Sequence, residues 1–183
     1  GVVPSIHAAV TAFTAPGESV IVQPPVYFPF FSAVTGTNRQ LVLNPLRLCG
    51  KRYEIDFDHL EHCASRARLL LLCSPHNPVG RVWSREELEK VLQIARKYEL
   101  IVFSDEIHSD LVYPGQKHVP LSTLAETSAS AGVVIITAIA PSKTFNIPGL
   151  NLSVLIVPDL ECRRSLTRTF DEVHVSAANP FSI

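Results

Sequence analysis

Gly132-Val133-Val134-Ile135-Ile136-Thr137-Ala138-Ile139-Ala140, followed at once by Pro141-Ser142-Lys143-Thr144-Phe145-Asn146, is the stretch whose reading decides the fold. An unbroken apolar run closed by a proline predicts a strand, here over 133–138, buried on both faces as in a helix-covered parallel sheet. The polar cluster that follows puts reactive groups at the carboxyl end of that strand. Lys143 stands there between two hydroxyl residues. A lysine at the mouth of a sheet can lose its proton through desolvation and attack an aldehyde. Read alone, it is also an ordinary surface lysine after a strand.

The same order, apolar run then polar motif, occurs twice more. Leu69–Cys73 leads into Ser74-Pro75-His76-Asn77-Pro78-Val79-Gly80, and 100–103 leads into Ser104-Asp105-Glu106-Ile107-His108. Ligands of open α/β sheets bind beyond the carboxyl ends of strands. Three motifs in that one kind of place predict a single site.

Helical patterns fill the intervals. Pro4 suits a first helical turn, with Ile6, Val10 and Phe13 at helical spacing and Pro16-Gly17 as the stop. Asp56 is placed to cap a helix through Leu60 to Cys63. Ser84-Arg85-Glu86-Glu87 is a capping box, and Leu88, Val91, Leu92 and Ala95 form the apolar stripe behind it. Further helices are expected over 27–34, 121–125 and 160–170. Further strands are expected at Ser19–Val22, Gln40–Leu43 and 152–157, with 44–54 as loop. The class is therefore α/β, a mostly parallel, mixed central sheet flanked by helices, in one domain over 1–183.

Composition narrows the function. A formal net charge of −1 gives no electrostatic case for nucleic acid or for an anionic membrane surface. No apolar run approaches the roughly 18 residues of a spanning helix. Cys49, Cys63, Cys73 and Cys162 form no CxxC pair and no zinc spacing with histidine, which points to reduced thiols and a cytoplasmic setting.

Read as chemistry, Asp105 is either a helix cap or a buried acid for a ligand. Asn77 is either a turn residue or a donor. Tyr27, in Pro24-Pro25-Val26-Tyr27-Phe28-Pro29-Phe30, is either core or a stacking ring. The helix start at Gly1-Val2-Val3 offers free N–H groups, an anion site by geometry.

Ser142-Lys143-Thr144-Phe145-Asn146-Ile147-Pro148-Gly149-Leu150 resembles the lysine motif of pyridoxal-phosphate (PLP) enzymes of the aspartate aminotransferase superfamily, fold type I. Gly-Val-Val-Pro, Pro-Val-Tyr, Ser-Pro-His-Asn-Pro-Val-Gly and Ser-Asp-Glu-Ile-His stand in the family's order. The resemblance implies a PLP-binding large domain. Lys143 would hold the cofactor and act as base, and Asp105 would face its pyridine nitrogen. Asn77 would donate to its phenolic oxygen, and Tyr27 would stack on its ring. Val2, Val3 and Ser142 would bind its phosphate. His108 would either reach the phenolic oxygen or pack, and Glu106 would serve structure.

Within the superfamily the chain is most similar to cystathionine β-lyase-like C–S lyases of the MalY/PatB type. His76, Val79 and Pro141 match that branch, and Asn151 stands where aminotransferases usually carry a phosphate-binding Arg. The resemblance implies cleavage of an amino-acid thioether, cystathionine or a cysteine S-conjugate, to thiol, pyruvate and ammonia by a homodimer. An aminotransferase of the same fold is the alternative reading, and a truncated, non-catalytic piece is a third. Against the family's pattern, the small domain and N-terminal segment are absent, which predicts a self-associating fragment with a half-complete site.

Overall fold

The computed structural model describes residues 1–125, 131–173 and 175. Its core is a six-stranded sheet in the order β2-β1-β5-β6-β7-β8. The strands are β1 (Ser19–Val22), β2 (Gln40–Leu43), β5 (Leu69–Cys73), β6 (Ile101–Asp105), β7 (Ile135–Ile139) and β8 (Val154–Ile156). All pairs are parallel except β7 with β8. The expected mixed, mostly parallel α/β sheet is the one observed.

β5 shows why its run is wholly apolar. Leu69, Leu71 and Cys73 join the core on one face of the sheet, with Val10, Phe30 and Phe103. Leu70 and Leu72 join the core on the other, with Leu60, Trp83 and Leu92. Strand side chains alternate, so a strand covered by helices on both faces needs an apolar residue at every position. Helices α1 (Val2–Phe13), α2 (Pro29–Thr35) and α5 (Leu160–Glu172) supply the first face, and α3 (Phe57–Ala64) and α4 (Arg85–Lys97) the second. Truncating one of these leucines to alanine costs about 2–5 kcal/mol.

Helix starts follow local chemistry. The Ser84 hydroxyl accepts from Glu87 N at 3.2 Å, and Glu87 Oε2 accepts from Ser84 N at 2.8 Å, closing the capping box of α4. Asp56 Oδ1 accepts from His59 N at 3.1 Å at the start of α3. No side chain caps α1.

The structure departs from the sequence reading in four places. The stretch 44–54, expected as loop, holds an antiparallel hairpin of β3 (Arg47–Cys49) and β4 (Arg52–Glu54). Gly50, at φ +63°, makes its turn possible, but the strands are largely exposed and carry no apolar alternation. Helix α2 begins at Pro29 rather than at 27, because Tyr27 N donates to Asn77 O at 3.0 Å and is held outside the helix. The strand expected over 100–103 runs on to Asp105. Its polar end is accommodated because buried Ser104 donates to Glu106 Oε1 at 2.9 Å. Residues 121–124 form a 3₁₀ turn, while β7 and β8 lie within two residues of expectation. Among the described residues, no helix is long and apolar enough to cross a membrane.

Candidate active site

The carboxyl ends of β1, β5, β6 and β7 open on one side of the sheet, and a cavity of about 330 Å³ lies there. Val2, Val3, Tyr27, Asn77, Asp105, His108, Ser142 and Lys143 all line it. Five separate segments of sequence contribute these side chains, and the parallel pairing of β5, β6 and β7 brings three of them together.

Asp105 is the last residue of β6, paired in register with Cys73 on one side and Ala138 on the other. It is 3% exposed. Burial pushes its carboxyl up to about 7, with Glu106 adding to the rise. The hydrogen bond from Ile107 N at 3.2 Å and the charge of Lys143 oppose it. A carboxylate so placed recovers its lost solvation from a cation or a strong donor in the cavity.

Glu106, one residue on, turns away from the cavity. Its carboxylate accepts from Ser104 Oγ, from Leu121 N at 3.0 Å and from His118 Nε2 at 2.7 Å. It is a buried anchor for the chain that leaves β6.

Asn77 sits on the loop after β5. Asn77 N donates to Cys73 Sγ at 3.3 Å, and Asn77 O accepts from Tyr27 N, so the segments bearing Asn77 and Tyr27 hold each other. His76 joins the same two segments from below. Its Nε2–H donates to Pro25 O at 3.0 Å, and its ring stands edge-on to Trp83 at 5.5 Å. Burial lowers His76 to about 4, so it is neutral at physiological pH. His108 is half-buried in the cavity wall, and burial followed by the charge of Lys143 lowers its pKa.

Lys143 lies beyond β7 in a turn closed by Phe145 N to Pro141 O and Ile147 N to Ser142 O, both 3.0 Å. Its side chain is exposed. The desolvation invoked for it from sequence is thus not provided by the described residues.

Cys73, Ile107, Pro148 and Leu152 also line the cavity and were not singled out from sequence. Strand alternation carried the signal for Cys73, which shares a face with Leu69 and Leu71. Burial and the neighbouring Asp105 push its thiol far above the ordinary range. Asn151 lines the cavity as well, and its carbonyl accepts from Gly1 N at 2.6 Å at the start of α1.

A doubly covered parallel sheet with a lysine, a buried acid and an uncapped helix start in one cavity defines a class, and the chain belongs to the family of class I and II aminotransferases, whose family model matches residues 1–180. Among individual relatives, cystathionine beta-lyase PatB of Bacillus subtilis is 43% identical over 185 residues, covering 100% of this chain and 47% of that protein. Cystalysin of Treponema denticola, whose crystal structure contains pyridoxal 5′-phosphate, superposes with a TM-score of 0.87 at 41% identity, over 99% of this chain and 45% of that one. A PLP-bound putative aminotransferase from Clostridium difficile superposes with a TM-score of 0.93 at 37% identity, over 100% and 46% respectively. The chain thus spans about half the length of these relatives.

Proposed function

We propose that residues 1–183 are the cofactor-binding large domain of a PLP-dependent C–S β-lyase. It would cleave cystathionine or a cysteine S-conjugate to a thiol, pyruvate and ammonia. The observation that carries the reading is Asp105, a buried carboxyl group whose pKa burial raises, facing the cavity that Lys143 also lines.

The donor set fits PLP. A protonated pyridine nitrogen is the kind of partner that a carboxylate held at about 7 by burial calls for. The uncapped start of α1, with the Ser142 hydroxyl, suits a phosphate. Tyr27 offers a ring face, and the Asn77 amide and neutral His108 offer donors for a phenolic oxygen. When bound, the cofactor supplies an electron sink for negative charge at the substrate Cα.

The chain's own residues do the rest. Lys143 would hold the cofactor, and its Nζ, when free, would accept the Cα proton as general base. Asp105 would face the pyridine nitrogen, where its negative charge would favour a proton on that nitrogen. Tyr27 and the loop bearing Asn77 fix the ring plane, since each is bonded to the other. As the Cβ–S bond breaks, the electron pair would leave with sulfur, the proton taken up by Lys143 Nζ would pass to the thiolate, and water would hydrolyse the remaining enamine to pyruvate and ammonia.

Similarity to PatB and cystalysin, together with Asn151 in the position of a phosphate-binding Arg, supports the lyase over the aminotransferase. Exposed Phe28, Tyr113 and Phe145 support a homodimer whose second copy covers apolar surface near the site. Four free cysteines are consistent with a cytoplasmic setting.

The test is addition of PLP to the purified chain. A visible absorbance band, and pyridoxyl-Lys143 after borohydride reduction, are expected. Thioether substrates should then give thiol and pyruvate. A keto acid with pyridoxamine phosphate would assign an aminotransferase, and no band would remove the cofactor reading. Light scattering with and without PLP tests association, and a clean monomer that binds PLP tightly would refute the dimer.

A further inference from the structure

The Lys143 turn poses a positioning problem. Register between β6 and β7 ends at Asp105 and Ala138, and Lys143 lies five residues further on. Its side chain is exposed, so packing does not hold it. The backbone bonds of its turn fix the turn's shape, and they do not fix where the turn sits relative to β6.

Among the described residues, one side-chain bond does. Thr144 Oγ1 donates to Asp110 Oδ2 at 2.8 Å, across 34 residues of sequence. Asp110 is itself firmly placed. It lies in a tight turn after β6, where Ser109 N donates to Glu106 O at 3.0 Å and Leu111 N donates to His108 O at 2.9 Å. That turn hangs from Glu106, which is 2% exposed and bonded to Ser104, His118 and Leu121.

We propose that Asp110 is a positioning residue for Lys143: through Thr144 it ties the lysine turn to the turn that follows Asp105 and carries His108, and so sets the lysine against the buried acid. The chemistry assigned to Lys143 rests on the function proposed above, whereas the tie itself does not.

A hydrogen bond to a carboxylate is among the stronger ones, and exposure to water reduces its net effect to about five- to tenfold in an equilibrium or rate. Asp110→Ala and Thr144→Val break the bond. Asp110→Asn and Thr144→Ser keep an acceptor and a donor in place.

Two readouts separate positioning from mere structure. In the chain without PLP, hydrogen exchange at the Phe145 and Ile147 amides reports the turn. With PLP added, borohydride trapping followed by mass spectrometry gives the rate of covalent uptake at Lys143. Both breaking variants should raise exchange and slow uptake by about five- to tenfold. The double variant should be no worse than either single one, and the conserving variants should restore uptake. Unchanged uptake in the breaking variants, losses that add, or no rescue would overturn the proposal. If the unaltered chain takes up no PLP, the functional reading falls, and exchange alone decides whether the tie orders the turn.

Discussion

Asp105 and Lys143 come from neighbouring strands and face one cavity, yet their surroundings are opposite. Asp105 closes β6, inside the sheet register, and is 3% exposed. Lys143 lies outside the register on an exposed turn. The acid is placed by the hydrophobic core and held by every strand around it. Among the described residues, the lysine turn is tied to its neighbouring turn by the Thr144–Asp110 bond. In the proposed function, the group that would stay still is built into the sheet, and the group that would exchange partners and move a proton hangs from a turn beyond β7. Substitutions at the two positions should therefore fail in different ways.

Lys143→Ala should have the largest effect. In the proposed function it removes the attachment point and the general base together. Borohydride should trap no pyridoxyl group in the variant, and lyase turnover in the PLP-loaded protein should fall by about three orders of magnitude or more. The melting temperature of the empty chain should barely move, because the side chain is exposed. PLP still trapped by reduction in the variant would remove Lys143 from the site.

Asp105→Asn should show the reverse balance. The amide keeps the size and can still accept from Ile107 N, but it carries no charge to hold a proton on the pyridine nitrogen. PLP uptake should persist while turnover drops by about two orders of magnitude, the scale of losing a charge placed for the transition state. Near-normal turnover would reduce Asp105 to a structural residue.

The same substitution reads out the burial of Asp105 through pH. Its folded-state carboxyl titrates near 7, above the unfolded value of 3.8. Its contribution to stability is therefore fully present below about 4 and is lost as pH rises toward 7. His76 works in the other direction. Lowered to about 4 from 6.5, it contributes stability above 6.5 that is lost as pH falls toward 4. The two act in opposite directions in the unaltered chain, so the difference between Asp105→Asn and wild type is the informative quantity. Measured by denaturant unfolding without PLP, it should grow in the variant's favour between pH 4 and 7, by at most about 4 kcal/mol. A difference that ignores pH would mean that Asp105 is solvated in the empty site.

How much of this was legible beforehand divides along the same line. The buried strands were legible because two covered faces demand continuous apolar runs, as at Leu69–Cys73. The helix starts at Ser84 and Asp56 were legible because caps are local chemistry. The three polar motifs after strands marked the site without any reference to a family. The extension of β6 to Asp105 was hidden, because Ser104 finds its partner in Glu106 only once the loop folds back. The hairpin at β3 and β4 was hidden because exposed strands carry no apolar alternation. The exposure of Lys143 and its tie through Thr144 to Asp110 depend on contacts between distant segments, and local pattern does not encode them.

The smallest expected effect lies at the far end of the cavity and carries the opposite sign. Asn151 has φ +50°, a left-handed conformation that asparagine tolerates. Its Oδ1 would lie 3.8 Å from a Cβ added at Gly1, so the side chain points at the start of α1. In Asn151→Arg a guanidinium takes that place. Without PLP it faces the positive end of a helix, and it also strains a left-handed residue by about 1 kcal/mol, so the empty chain should melt lower. With a phosphate present the guanidinium gains a charge-assisted hydrogen bond worth about 1.5–3 kcal/mol before these costs are deducted. The balance predicts PLP binding tighter by about three- to tenfold, with turnover little changed because the phosphate is remote from the reacting atoms. Titration of PLP by absorbance, beside melting curves with and without it, measures both halves. Equal or weaker binding in the variant would place the phosphate elsewhere in the cavity and separate the start of α1 from the cofactor.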